Sequence, residues 1–438
     1  MENRIQIVME RGHLFSINDN VSMAARIHGR ITKEIVSQAL EKVIRKYPIF
    51  TSTIKREENQ QAFYQLYSAK RVEPVYYPYG EANHLEAYLQ KEEETAFDHV
   101  NGPLLRMIVF KGEERSLFVI IGSLMLSDAK GYQQFLEELV YYMNHSEEEP
   151  EPILPRLIGN GIDLPVESSL RLKDKFTINA LNREWKKSAH TFSENEYKEL
   201  FTRYKRTHKK PVIMKEINVK STKSLFAYCE ERHVSVTATI ITAFLAVMYN
   251  FDRFHRNNEV RTEVMLNHRK KEESATIAPL SSQVMLLKKY SQGLSFWDNV
   301  EVVHGYLKEK EKDKYRYEKL AKMKALDGTL LESIPFAAYG EYENAASKKA
   351  AHLFYEGEKE KGLGVENLGE TVYKKEEEFY IDLMYFIPTA KFTEDLSVGA
   401  VTVNEKLMLC IRYDKVHYSE RIIEDMVRSA VNYMWNRS

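Results

Sequence analysis

A chain of 438 residues with 43% apolar side chains is about two or three domains long and can fill a sizeable core. Its 63 Lys and Arg balance 64 Asp and Glu, so no global field recruits nucleic acid or an anionic membrane surface. The two cysteines, Cys229 and Cys410, lie far apart in apolar company, which excludes a disulfide framework and a cysteine zinc cluster and suits a reducing compartment.

In chain order, Met1-Glu-Asn-Arg-Ile5 mixes charges and lacks the apolar run of a secretion signal. No later stretch reaches the roughly 18 to 20 uncharged apolar residues of a membrane span, so a soluble, cytoplasmic protein is expected. Val21 to His28 reads as a strand, and Thr32 to Tyr47 as a helix with Ile35, Val36, Ala39, Leu40, Val43 and Ile44 on one stripe, stopped by Pro48. Ile49 to Ile54 reads as a strand and His84 to Thr95 as a helix. Leu105 to Phe110 and Ser116 to Gly122 read as paired strands, with a helix from Gly131 onward. The acidic run Glu147 to Glu151 and the Pro- and Gly-containing stretch Pro152 to Pro165 break the periodicity and read as a linker between halves 1–165 and 166–438.

Beyond the linker, Glu194 to Tyr204 predicts a helix, Val212 to Val219 a strand, the residues after Ser221 a helix, and Val236 to Phe251 a strongly apolar helix. Glu263 to Asn267, Gln283 to Leu287, Phe379 to Phe386, Val398 to Val403 and Leu407 to Tyr413 predict strands, and Ser419 to Trp435 a closing helix. The Lys- and Glu-rich segments Tyr306 to Ala325 and Glu341 to Gly362 read as solvated helices. The class is α/β in two lobes. No phosphate loop and no G-x-G-x-x-G after a strand occurs, and the 13 histidines lack ligand spacing. No metal is expected.

Val119-Ile-Ile-Gly-Ser-Leu-Met-Leu-Ser-Asp-Ala-Lys-Gly131 runs an apolar strand into an Asp and then a helix. Four further stretches accompany it: Ala39 to Pro48 with Phe50-Thr-Ser-Thr-Ile54; Ala96-Phe-Asp98 with Gly102-Pro-Leu-Leu-Arg106; Met265-Leu-Asn-His-Arg269; and Val365-Glu-Asn-Leu-Gly369. In this order they resemble the condensation and chloramphenicol-acetyltransferase superfamily, with free-standing condensation-like proteins and bacterial alcohol acyltransferases nearest in character. The resemblance spans nearly the whole chain. It implies two lobes, each a mixed sheet flanked by helices, set as a V with a tunnel between them.

In that superfamily the strand end reads H-H-x-x-x-D-G, and the second His takes the proton from an attacking alcohol or amine. Here those His positions are Ser123 and Leu124, Asp128 stands, and the following Gly is Ala129. The resemblance implies a structural Asp128 paired with Arg269, and Ser127, Arg269, Asn367 and Gly369 along the tunnel. Asn367 and Gly369 read equally as a tight turn. It also implies acyl-CoA or a phosphopantetheine-linked acyl group as donor substrate, with no bound cofactor, and an acyl or peptidyl carrier protein as a partner. A monomer is expected.

Leucine cannot act as a base. A positioned base contributes about 10²- to 10⁴-fold, whereas placement of reactants and oxyanion stabilisation survive its loss. His13, His99 and His268 are the candidates for a substitute, and each reads equally as a loop or strand-end histidine with a local hydrogen bond. Two functions stay open: an acyltransferase with an altered base, and a non-catalytic scaffold. The basic run Arg203 to Lys210 suits either an acidic carrier protein or a solvated helix end.

Overall fold

The computed structural model describes residues 3–58, 60–251, 258–270, 276–355, 362–373, 375–389, 391 and 393–435. Two larger sheets organise them. A five-stranded sheet runs in the order Tyr380–Ile387, Asn20–His28, Arg115–Ser123, Leu105–Lys111, Val75–Pro78. A six-stranded sheet runs Val212–Ile217, Lys406–Tyr413, Glu394–Val403, Gly362–Thr371, Val260–Asn267, Ser281–Lys288. Both mix parallel and antiparallel pairs, and helices flank them. The architecture is two-lobed α/β, and each lobe has its own apolar core.

Local chemistry sets the element ends. The Thr32 side chain accepts from the Ile35 N–H at the start of helix Lys33–Lys46, which closes just before Pro48. Ser193 and Glu196 cap Glu194–Thr207 reciprocally, as Ser295 and Asp298 cap Phe296–Lys310. Helix Val236–Phe251 is buried along most of its length, from Ala238 to Met248, which explains its apolar character on every face. No single helix among the described residues is long and apolar enough to cross a membrane.

Several elements differ from the sequence reading. Ile49 to Ile54 is not one strand: Pro48–Thr51 forms a 3₁₀ turn and the strand begins at Thr53. Proline presets the helical φ at the first position of such a turn, and Ile49 and Phe50 bury from it. Glu341 to Gly362 is not a solvated helix throughout. Helix Ala345–Tyr355 buries Ala346, Ser347, Ala350, Ala351 and Phe354, 356–361 lie outside the described residues, and Gly362 opens a strand. Likewise Tyr306 to Ala325 is broken into the end of Phe296–Lys310, a short turn Asp313–Arg316, and Glu318–Ala325 with Ala321 and Met323 buried.

Chain order and spatial lobe also part company. Strand Tyr380–Ile387, from the second half of the sequence, pairs antiparallel with Asn20–His28 in the sheet of the first. The first core further takes in Trp185 and Phe201, and Leu330 and Phe336 of helix Gly328–Ala338. The division at residue 165 therefore follows the break in periodicity, while the cores form wherever apolar faces meet.

Candidate functional site

The altered motif ends strand Arg115–Ser123 and starts helix Ala129–Asn144. Asp128 is the helix cap, and its Oδ1 accepts from the Gly131 N–H at 2.9 Å. Its Oδ2 accepts from the Leu280 N–H at 2.9 Å and from Arg269 Nη1 at 2.8 Å. The Arg269 guanidinium spends its other donors on the carbonyls of Thr276 and Ala278 and on Asn267 Oδ1. Acid, guanidinium and backbone thus satisfy one another in a buried joint between the two lobes.

The loop before Asp128 is equally determined. The Tyr132 hydroxyl donates to the Ser123 carbonyl at 2.6 Å, and the Tyr64 hydroxyl donates to that of Met125. A Cβ on Gly122 would lie 2.1 Å from the Tyr132 ring, and one on Gly131 would lie 1.9 Å from Ser127 Oγ. Ser127 is wholly buried, with its hydroxyl 3.4 Å from the Ala278 carbonyl.

Leu124 borders a cavity of about 120 Å³ between the lobes, and its N–H donates to the Asp19 carbonyl at 2.8 Å. His13 and Asp19 border the same cavity, and His13 Nδ1 is hydrogen-bonded to Asp19 Oδ2. Burial works to raise the Asp19 carboxyl, yet the charge and hydrogen bond of His13, with the charge of Lys391, hold it below the usual carboxylate range.

The other two histidines stand elsewhere. His99 is buried against Phe15 and Tyr197, with Nδ1 3.1 Å from Glu194 Oε2. Its backbone N–H bonds the same carboxylate, a local structural role. His268 stacks on Tyr317, and its Nε2 lies 2.6 Å from Ser282 Oγ. Burial first, then the charges of Arg316 and Arg269, push its pKa down to about 3. Only His13 of the three borders the Leu124 cavity.

Ser127, Arg269, Asn367 and Gly369 do not line this cavity. Arg269 instead borders an open groove of about 690 Å³ with Lys130 and Asn267. Asn367 and Gly369 lie inside strand Gly362–Thr371, not in a tight turn. The register with Glu394–Val403 shifts between Asn367 and Glu370. Gly369 has φ +81° there, with its N–H bonded to Asn367 Oδ1, a bulge that glycine accommodates.

Charged residues that the sequence did not single out complete the cavity wall. Glu263 is 3% exposed. Its Oε1 accepts from Thr393 and lies 2.7 Å from Arg261, while Lys391 Nζ is 3.5 Å from Oε2. Lys391 also lies 3.5 Å from Glu394. At the edge of this cavity, Lys205 turns inward from the basic run to bond Oδ1 of Asn18, a residue of the cavity wall, at 2.9 Å, and burial pulls its pKa down to about 8. The fold also gathers Asp395, Asp414 and His417, but His417 Nδ1, 3.1 Å from Asp395, serves them as a counter-ion when protonated.

No protein-family model matches the chain, and no curated protein sequence does. Solved structures do. The first condensation domain of the calcium-dependent antibiotic synthetase, in complex with a substrate analogue, superposes with a TM-score of 0.64 at 13% identity, covering 99% of this chain and 96% of that one. Polyketide synthase associated protein 5 from Mycobacterium tuberculosis gives 0.59 at 11% identity, over 100% and 98%. The X-domain of teicoplanin biosynthesis, solved in complex with OxyB, gives 0.57 at 14% identity, over 99% and 93%. The chain has the two-lobed fold of condensation domains along its whole length.

Proposed function

We propose that the chain is a condensation-like acyltransferase in which the His13–Asp19 pair does the work of the missing motif histidine. The observation that carries this reading is that His13, Asp19 and Leu124 border one cavity. Asp19 accepting from Nδ1–H leaves Nε2 as the basic nitrogen, the arrangement by which a carboxylate fixes an imidazole tautomer. An amine or alcohol then attacks the carbonyl of an acyl thioester carried by CoA or by phosphopantetheine. The new C–N or C–O bond forms, the C–S bond breaks, and the proton taken by His13 passes to the departing thiolate.

The test is mass spectrometry and thiol release with acyl-CoA and acyl-carrier donors and pooled amines and alcohols. Wild type acylates an acceptor, and His13→Ala lowers the rate by about 10²-fold or more. Equal rates for the two proteins would remove His13 from the mechanism.

Leu124 itself favours a second reading, a non-catalytic scaffold that binds a carrier protein, a biosynthetic enzyme or an acyl ligand, as the X-domain binds OxyB. Specific binding with no turnover across the whole panel selects it. Acceptor-dependent thiol release above the uncatalysed rate rules it out.

A further inference from the structure

Charge is balanced over the whole chain, 63 Lys and Arg against 64 Asp and Glu, but not over the outer face of helix Leu172–Trp185. Spacings of three and four residues put Asp174, Ile178, Leu181 and Trp185 on one stripe of this helix. Ile178, Leu181 and Trp185 are buried, and polar bonds pin that side in place. Trp185 Nε1 donates to Thr329 Oγ1 at 2.8 Å, and Asn182 Nδ2 donates to the Ala325 carbonyl at 3.0 Å. The opposite face is therefore held outward in a fixed orientation.

That face is not an ordinary solvated one. Leu172 and Phe176, one turn apart, are each 73% exposed, and Val166, in the short turn before the helix, is 86% exposed. On most soluble surfaces large apolar side chains are scattered singly. Here they stand among Lys173, Lys175, Arg183, Lys186 and Lys187, all exposed. The helix's ion pairs are Glu184 with Lys349 at 3.1 Å and, just before its first turn, Arg171 with Glu318 at 4.0 Å. Among the described residues, no ion pair forms with Lys173, Lys175, Arg183, Lys186 or Lys187. Asp174, the other acid of the helix, lies on the inward stripe.

Two features select the partner. Unpaired cations favour an anionic surface. Apolar side chains that protrude from a helix need no matching pocket when that surface is fluid, and an aliphatic and an aromatic residue flanked by Lys and Arg form the pattern of a helix lying at a lipid boundary. We propose that the outward face of Leu172–Trp185 docks the protein on an anionic bilayer, with Leu172 and Phe176 entering the boundary between headgroups and acyl chains and the flanking cations meeting the lipid phosphates. The contact is peripheral and reversible, because two side chains bury little area. It stands apart from the acyl transfer proposed above, since no residue of this helix borders the Leu124 cavity.

The experiment is co-sedimentation of the full chain with vesicles of phosphatidylcholine alone and of phosphatidylcholine containing about 30% phosphatidylglycerol, with lipid running to about 5 mM in about 0.1 M salt. Wild type binds the anionic vesicles at least about tenfold more strongly than the neutral ones, and about 1 M salt weakens that binding. Leu172→Ser combined with Phe176→Ser, and Lys173→Glu combined with Lys175→Glu, each weaken it by at least about tenfold. Near-ultraviolet circular dichroism checks that both double variants are folded. In Phe176→Trp, tryptophan emission shifts to the blue on anionic vesicles more than in wild type. No binding of wild type to anionic vesicles overturns the proposal, as does equal binding to both vesicles or unchanged binding by both folded double variants. Calorimetry with an acidic acyl carrier protein tests a protein partner. Binding there that both double variants lose, with no binding to vesicles, overturns the bilayer in favour of a protein.

Discussion

Asp128 Oδ2 and Arg269 Nη1 meet at 2.8 Å across the lobe boundary, with side-chain exposures of 3% and 4%. A pair so sequestered is worth little against an apolar replacement of both partners, but loss of one partner strands the other charge. Asp128→Ala should therefore lower unfolding stability by about 3–5 kcal/mol, read from urea midpoints. Asp128→Asn, which can keep an acceptor for the Gly131 N–H, should lower it less. Equal, near-zero effects would mean that the lobes are joined elsewhere.

Gly122→Ala should be costly for a different reason. The added methyl falls on the Tyr132 ring, which is fully buried and whose hydroxyl holds the Ser123 carbonyl. Overpacking of this kind costs about 1–3 kcal/mol, whereas Tyr132→Phe, losing only the hydrogen bond, should cost about 1 kcal/mol. Thermal unfolding of the two variants side by side checks the order.

His268 gives a pH dependence with a definite sign. Its folded pKa is pushed down to about 3, while the unfolded chain takes up the proton near pH 6.5. Between those values the unfolded state holds the extra proton, so stability falls as pH falls, by up to about 1.4 kcal/mol per pH unit. Above about pH 6.5 the effect is absent. His268→Gln, which can still reach Ser282, should flatten the urea midpoint between about pH 4 and 7, and a slope identical to wild type would refute the assignment.

Leu124→His restores an imidazole at the motif position in the cavity that His13 and Asp19 border. Hydroxyl acceptors, which need a base more than neutral amines do, should gain the most, by about 10-fold or more. The measurement is thiol release with matched alcohol and amine panels, and an equal gain for both classes would argue against proton removal as the limiting step.

The pairing of Asp128 with Arg269 was legible because both residues sit in short stretches whose order matches a known family, and the helix after Asp128 follows from an ordinary cap. Arg261 and Glu263 were not. They alternate with Val260, Thr262 and Val264 along one strand, a pattern that reads as a solvent-facing side, and only the opposing lobe turns that side inward. Asp19 lies six residues from His13 with no helical or strand period to join them, so only the fold brings the carboxylate to the imidazole. Val365 to Gly369 reads as a turn because Asn367 and Gly369 disguise the bulge of an interior strand, Gly362–Thr371.

Strand Tyr380–Ile387 has a further consequence. It clamps Asn20–His28 through the Arg26–Asp382 pair, two bonds of 2.8 Å, and through the stacking of Tyr380 on His28. During synthesis the first sheet waits with one edge unpaired until nearly nine-tenths of the chain has emerged, the situation in which strands seek wrong partners. A fragment ending at the linker should for that reason be insoluble when made alone, while a mature molecule nicked between Glu147 and Pro165 should stay in one piece.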